Sequence, residues 1–154
     1  MTLIDNTSII EKYHQALNAI GLLEEEIKAY SSLTTDEKDI LNRRTRNSLI
    51  KTYGFTYEIF WQTLYTFLEN LEGLYLLDIV PIQVFRAAQR AATISIEEFY
   101  ALNESSADKY LINQAQIDSI AIEIAERIPT HYQVMKKILD RINPSIYSLR
   151  EHSG

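Results

Sequence analysis

The stretch Ile50-Lys-Thr-Tyr53-Gly54-Phe-Thr-Tyr57-Glu-Ile-Phe60-Trp61-Gln-Thr-Leu64-Tyr-Thr-Phe67-Leu68 decides the fold. Ile50, Tyr53, Tyr57, Phe60, Trp61, Leu64, Phe67 and Leu68 recur at steps of three and four, which lays one apolar stripe along a helix. The pattern predicts a long helix from about Thr35 to Glu72, with Gly73 placed to stop it as a C′ residue. Gly54 lies inside the stripe. A mid-helix glycine costs about 1 kcal/mol against alanine, so Gly54 is read as admitting a neighbouring helix.

Upstream, Ile9, Tyr13, Leu17, Ile20, Leu23 or Glu24, Ile27 and Tyr30 give a first helix from about Ser8 to Ser31, capped by Thr7 or Ser8. Thr34-x-x-Glu37 has capping-box spacing before the second helix. Downstream, Pro81 suits the first turn of a short helix running to about Ala92. Ser95-x-x-Glu98 repeats the capping-box pattern and opens another short helix through about Leu102. The polar run Asn103 to Asp108 reads as a loop. A last helix, from Tyr110 or Asn113 to Ile142, carries Ile117, Ile120, Ala121, Ile124, Ile128, Tyr132, Met135, Leu139 and Ile142 on one face. It should kink or break at Pro129 and end before Pro144. Three long amphipathic helices and one or two short ones imply an all-α, antiparallel up-and-down bundle, a four-helix-bundle-like single domain over residues 1–154.

Composition agrees with the pattern. The chain has 154 residues with 46% hydrophobic and 23% charged, which is globular usage. Four Gly and three Pro are too few for the turns of an all-β protein. Fifteen Lys+Arg against 21 Asp+Glu leave −6, which disfavours a generally basic nucleic-acid binder. Without Cys there is no disulfide framework, thiolate nucleophile or Cys-ligated metal. Met1 to Asp5 lacks a basic start and a long apolar run, and Leu74 to Val84 is too short to span a bilayer. These features predict a cytoplasmic protein with no membrane partner.

Few constellations carry chemistry. Glu11-x-x-His14 has di-iron spacing, but that site needs the motif twice with two further Glu. It occurs once, so it is read as a surface pair, and neither metal nor cofactor is expected. Arg43, Arg44, Arg46 and Lys51 form a basic cluster, balanced by Asp36, Glu37 and Asp39. Arg86 and Arg90 add an i,i+4 basic pair suited to phosphate. Ten Tyr is many, and Tyr53 and Tyr57 with Trp61 are read as core. Gly-rich phosphate loops, Ser/His/Asp sets and nucleophile elbows are absent from the sequence.

The run from Arg46 to Trp61 resembles the signature of the nucleotidyltransferase substrate-binding-like proteins. These are small helical bundles of the HEPN superfamily, encoded beside minimal nucleotidyltransferases. The family pattern ends in Phe-Glu-Tyr-Thr-Phe-Glu-Leu-x-Trp-Lys. Tyr53, Phe55, Thr56, Tyr57, Glu58 and Trp61 match it in identity or kind, while Gly54 and Gln62 replace the family's Glu and Lys. Pro81 to Ala92 is similar to the family's Pro-x-x-Val-x-Arg-x-Ala helix, and Ala121 to Pro129 resembles its last helix. The likeness covers about residues 8 to 142.

That resemblance implies where chemistry should lie. The family's active members carry Arg-x4-His-x-Tyr at the start of the last helix, the equipment of a metal-independent ribonuclease. The Tyr of toxin members is adenylylated by the cognate nucleotidyltransferase. The aligned residues here are Lys109, Gln114 and Gln116. Lys109 lacks the guanidinium fork, Gln114 cannot serve as a base, and Gln116 offers no phenol. Arg127 and His131 are separated by only three residues and lie beyond the motif. The implied protein has no catalytic residue. It is a toxin–antitoxin-like partner of a minimal nucleotidyltransferase on a separate chain, and a homodimer. Lys109, Asn113, Gln114, Gln116, Arg86 and Arg90 would be the remnant of a nucleotide or RNA groove. Tyr57, Glu58 and Trp61 would organise the core beside it. The rival expectations are a ribonuclease toxin with a displaced motif and a purely structural dimerising bundle.

Overall fold

The computed structural model describes residues 6–33, 40–114 and 118–152. Those residues form helices α1 (Asn6–Ser31), α2 (Ile40–Leu71), α3 (Pro81–Arg90), α4 (Ile96–Leu111) and α5 (Asp118–His152), with a 3₁₀ turn at Ile112–Gln114. The all-α bundle expected from the periodicity is observed.

Side-chain bonds give the direction of the long helices. Ser48 Oγ donates to Glu26, Thr56 Oγ1 to the Ala19 carbonyl, and Thr63 Oγ1 to the Lys12 carbonyl. Contacts that descend α1 while climbing α2 make the pair antiparallel. The buried Tyr13 hydroxyl donates to the Leu139 carbonyl at 3.0 Å, tying α5 to the start of α1. The core lies where the stripes meet: Ile9, Tyr13, Ile20 and Leu23 from α1, Leu49, Tyr53, Phe60 and Leu64 from α2, and Ile124, Ile128, Met135 and Leu139 from α5. Phe85 of α3 closes one end against the rings of Tyr57 and Phe60.

Thr7 and Ser8, expected as caps, lie inside α1, whereas the signals further along the chain act as read. Gly73 adopts φ +64, and the Leu68 carbonyl accepts from the Glu72 and Leu74 amides to end α2. Ser95 Oγ accepts from the Glu98 amide while Glu98 Oε1 accepts from the Ser95 amide, which completes the capping box. A Cβ on Gly54 would sit 3.2 Å from Ile112 Cδ1 and 3.6 Å from Lys109 Cε, so this glycine admits the end of α4. The Thr34/Glu37 box and the predicted first residues of α2 lie outside the described residues.

Two expectations fail. The polar run Asn103 to Asp108 is not a loop but part of α4, which continues to Leu111. Its inward side chains, Ser105 and Asp108, are buried against polar partners, so they signal no solvent-exposed link. The last helix starts at Asp118 and passes through both Pro129 and Pro144 to His152. Each proline removes one backbone bond and costs about 3 kcal/mol. Burial of Ile124, Ile128, Met135, Leu139, Ile142 and Ile146 along one face, at about 1.5–3 kcal/mol for each side chain, outweighs that loss.

Candidate functional site

Leu102, Ser105 and Asp108 occupy successive turns of α4 and point into the protein. Asp108 is 4% exposed and accepts from three donors. Arg127 donates through Nε to Oδ2 (2.8 Å) and through Nη2 to Oδ1 (2.7 Å), a bidentate pair. His131, one turn along α5 from Arg127, lies 2.6 Å from Oδ2 through Nε2. An ionised carboxylate only accepts, so Nε2 carries the hydrogen. Tyr53 of α2 stacks on the imidazole with centroids 5.5 Å apart. Its hydroxyl donates to the Ser105 carbonyl at 2.7 Å and also meets Ser105 Oγ. One turn on, the Tyr57 hydroxyl meets Ser106 Oγ.

The electrostatics follow from this packing. Burial pushes the Asp108 carboxyl up, but the hydrogen bonds from Arg127 and His131 outweigh it and hold the group below the usual range. Asp108 in turn holds the Arg127 guanidinium in its charged form. Burial raises the Tyr53 phenol and pushes Tyr57 up to about 12, so both stay neutral donors. A second clasp repeats the chemistry ten residues earlier. Arg141 donates to both oxygens of Glu98 (2.7 and 2.8 Å) and to the Thr93 carbonyl (3.0 Å). The hydrogen bonds from Arg141 hold Glu98 below the usual carboxylate range. Two α4 carboxylates, each forked by an α5 arginine, fix the antiparallel α4–α5 pair.

The predicted site residues divide into groups. Glu58 joins two of them: Oε2 accepts from Trp61 Nε1 at 2.8 Å, and Oε1 lies 3.6 Å from Lys109 Nζ. Tyr57 is buried, whereas Glu58 and Trp61 stand half-buried at the edge of the core. Asn113 and Gln114 are exposed on the 3₁₀ turn, and Gln116 lies outside the described residues. Arg86 and Arg90 are exposed on α3. They line a cavity of about 320 Å³ with Leu74, Tyr75, Leu76, Gln83, Ala87 and Ala91. That cavity shares no residue with the Lys109–Glu58–Trp61 group. Glu11 and His14 are exposed on α1, and no cluster of three metal-ligating side chains occurs among the described residues. No described helix is long and apolar enough to cross a membrane.

The sequence reading missed the Asp108–Arg127–His131 cluster. Its signal was present in the i,i+4 spacing of Arg127 and His131 and in Asp108 falling three residues after Ser105. Reading residues 103–108 as a loop removed the helical face that unites them.

No family model matches the chain, and no curated protein matches it. A solved structure does. The chain is similar to the crystal structure of ttk003001694 from Thermus thermophilus, with a TM-score of 0.69 and 24% identity over 82% of this chain and 98% of that one. The likeness establishes the fold alone.

Proposed function

We propose that the protein is a non-catalytic, HEPN-like partner subunit of a minimal nucleotidyltransferase, of the substrate-binding type and from a toxin–antitoxin-like pair. The observation that carries the non-catalytic part is the state of the imidazole. A metal-independent ribonuclease needs a histidine that reaches the RNA and exchanges protons there. His131 is 3% exposed, its Nε2 is engaged by Asp108, and its face is covered by Tyr53. Lys109, aligned with the family's catalytic Arg, is paired to Glu58, and Gln114 carries no base. The pairing part rests on the resemblance of residues 46–61, 81–92 and 121–129 to that family. A cytoplasmic homodimer that holds a nucleotide or RNA belongs to the same reading.

Co-purification with any nucleotidyltransferase encoded by a neighbouring gene tests the pairing, with a stable complex on size exclusion as the expected result. The absence of a complex with any neighbouring-gene enzyme sinks the idea.

One observation favours the ribonuclease alternative: Arg127 and His131 meet on one helix face, and the Arg127 side chain is 44% exposed. That reading requires RNA cleavage by the wild-type protein, lost in His131→Ala and retained in Lys109→Ala. An inert wild-type protein removes it.

A further inference from the structure

Residues 72–80 join α2 to α3, and the stretch from Leu74 to Ile82, which runs into the first turn of α3, inverts the usual character of a connection. Connecting segments run over the surface and are normally polar. Here Leu77 is 90% exposed, Tyr75 is 82% exposed, and Ile79, Val80 and Ile82 are also in water. Asp78 is the only charged residue in the stretch. Among the described residues, no backbone hydrogen bond to the rest of the chain involves residues 75 to 79. The segment therefore offers large apolar side chains together with free amides and carbonyls, the combination that captures an extended partner chain. Exposed apolar residues concentrated in this way mark an interaction site.

The adjoining charge specifies what fits. Arg86 and Arg90 stand one turn apart on α3 and share their cavity with Tyr75. Neither forms an ion pair among the described residues, and the chain as a whole carries −6. We infer that the Leu74–Ile82 segment, with Arg86 and Arg90 at its flank, is a docking surface for an extended segment of another protein, with apolar and acidic residues alternating along it. The apolar residues would cover Tyr75 and Leu77, and the carboxylates would meet the two guanidiniums.

Competing occupants fit less well. A two-fold dimer through this patch would bring four guanidiniums into one interface with only the two Asp78 carboxylates of the stretch to meet them. An anionic bilayer would repel the net negative charge of the chain. The inference stands independently of the nucleotidyltransferase pairing.

The test uses a labelled ten-residue peptide of alternating leucine and glutamate, titrated against the full chain by fluorescence anisotropy. The expected result is saturable binding, weakened at least tenfold in Leu77→Asp and in the double variant Arg86→Glu/Arg90→Glu. A leucine–lysine peptide should bind at least tenfold more weakly than the acidic one. These variants alter exposed side chains, and circular dichroism checks that the helices persist. Absent binding, equal binding of both peptides, or binding unchanged in the variants overturns the inference. So does a dimer seen by light scattering that Leu77→Asp converts to monomer, or sedimentation with phosphatidylcholine–phosphatidylglycerol vesicles that the same variant abolishes.

Discussion

The inner face of α4 and the connection from Leu74 to Ile82 are opposites. Asp108, Ser105 and Glu98 are polar and buried, whereas Leu77, Tyr75 and Ile79 are apolar and exposed. A polar group stays inside when each of its atoms finds a partner, because an unsatisfied one costs about 1–3 kcal/mol. An apolar group outside has no comparable local penalty and remains free to be covered by something else. Polarity alone therefore fails to sort residues into core and surface in this protein. Partner supply does so on the inside.

Breaking the buried side should have the larger effects. Asp108→Ala leaves His131 and Tyr53 buried beside a lost carboxylate. It should cost about 3 kcal/mol, near the low end for breaking a buried pair because Arg127 keeps part of its surface in water. For a chain of this size that lowers Tm by about 6–12 °C in a thermal melt. Glu98→Ala removes half of the capping box and the acceptor of Arg141. About 1–2 kcal/mol is expected from the denaturant midpoint, the Arg141 share being reduced by its exposure.

The same pair of carboxylates gives a pH dependence. Both are held below their ordinary values, so the unfolded chain binds more protons than the folded one at low pH. Their stabilisation is complete above the ordinary carboxylate range near pH 4 and is lost as pH falls through that range and below it. A Tm-against-pH series should show the decline, and Asp108→Asn should flatten it. A wild-type Tm that holds constant down to about pH 2 contradicts the arrangement.

The exposed side should respond least. Leu77→Ala is expected to change folding stability by no more than about 0.5 kcal/mol, since the side chain touches little within the chain. A loss above about 2 kcal/mol would mean that the residue is covered within the chain and would remove the contrast.

The sequence made the bundle more legible than the buried polar half. The α1, α2 and α5 stripes are written in Ile, Leu, Tyr and Phe at helical spacing, and burial follows such spacing closely. Gly73, Pro81 and the Ser95–Glu98 box set boundaries through backbone chemistry confined to a few residues. The continuation of α4 depended on partners far along the chain: Asp108 is inside because Arg127 and His131, 19 and 23 residues later, come to meet it. No local rule contains that information. The same holds for Pro129 and Pro144, whose helix-breaking tendency is local while the burial that overrides it is tertiary. Of the candidate groove, Lys109 pairs with Glu58, which also accepts from Trp61, whereas Arg86 and Arg90 line a cavity that includes none of the three. Helical periodicity places residues on faces but does not say which faces meet.

Trp61 is the only tryptophan in the chain, and its indole N–H donates to the carboxylate that also pairs with Lys109. The emission of this one fluorophore is therefore a built-in optical gauge of the junction between α2 and α4. Anything that lifts α4 off Gly54, disturbs Glu58 or draws Lys109 away to an anion changes the hydration of a single ring. The protein thus carries its own label at this junction, and an extrinsic dye is unnecessary for following events there.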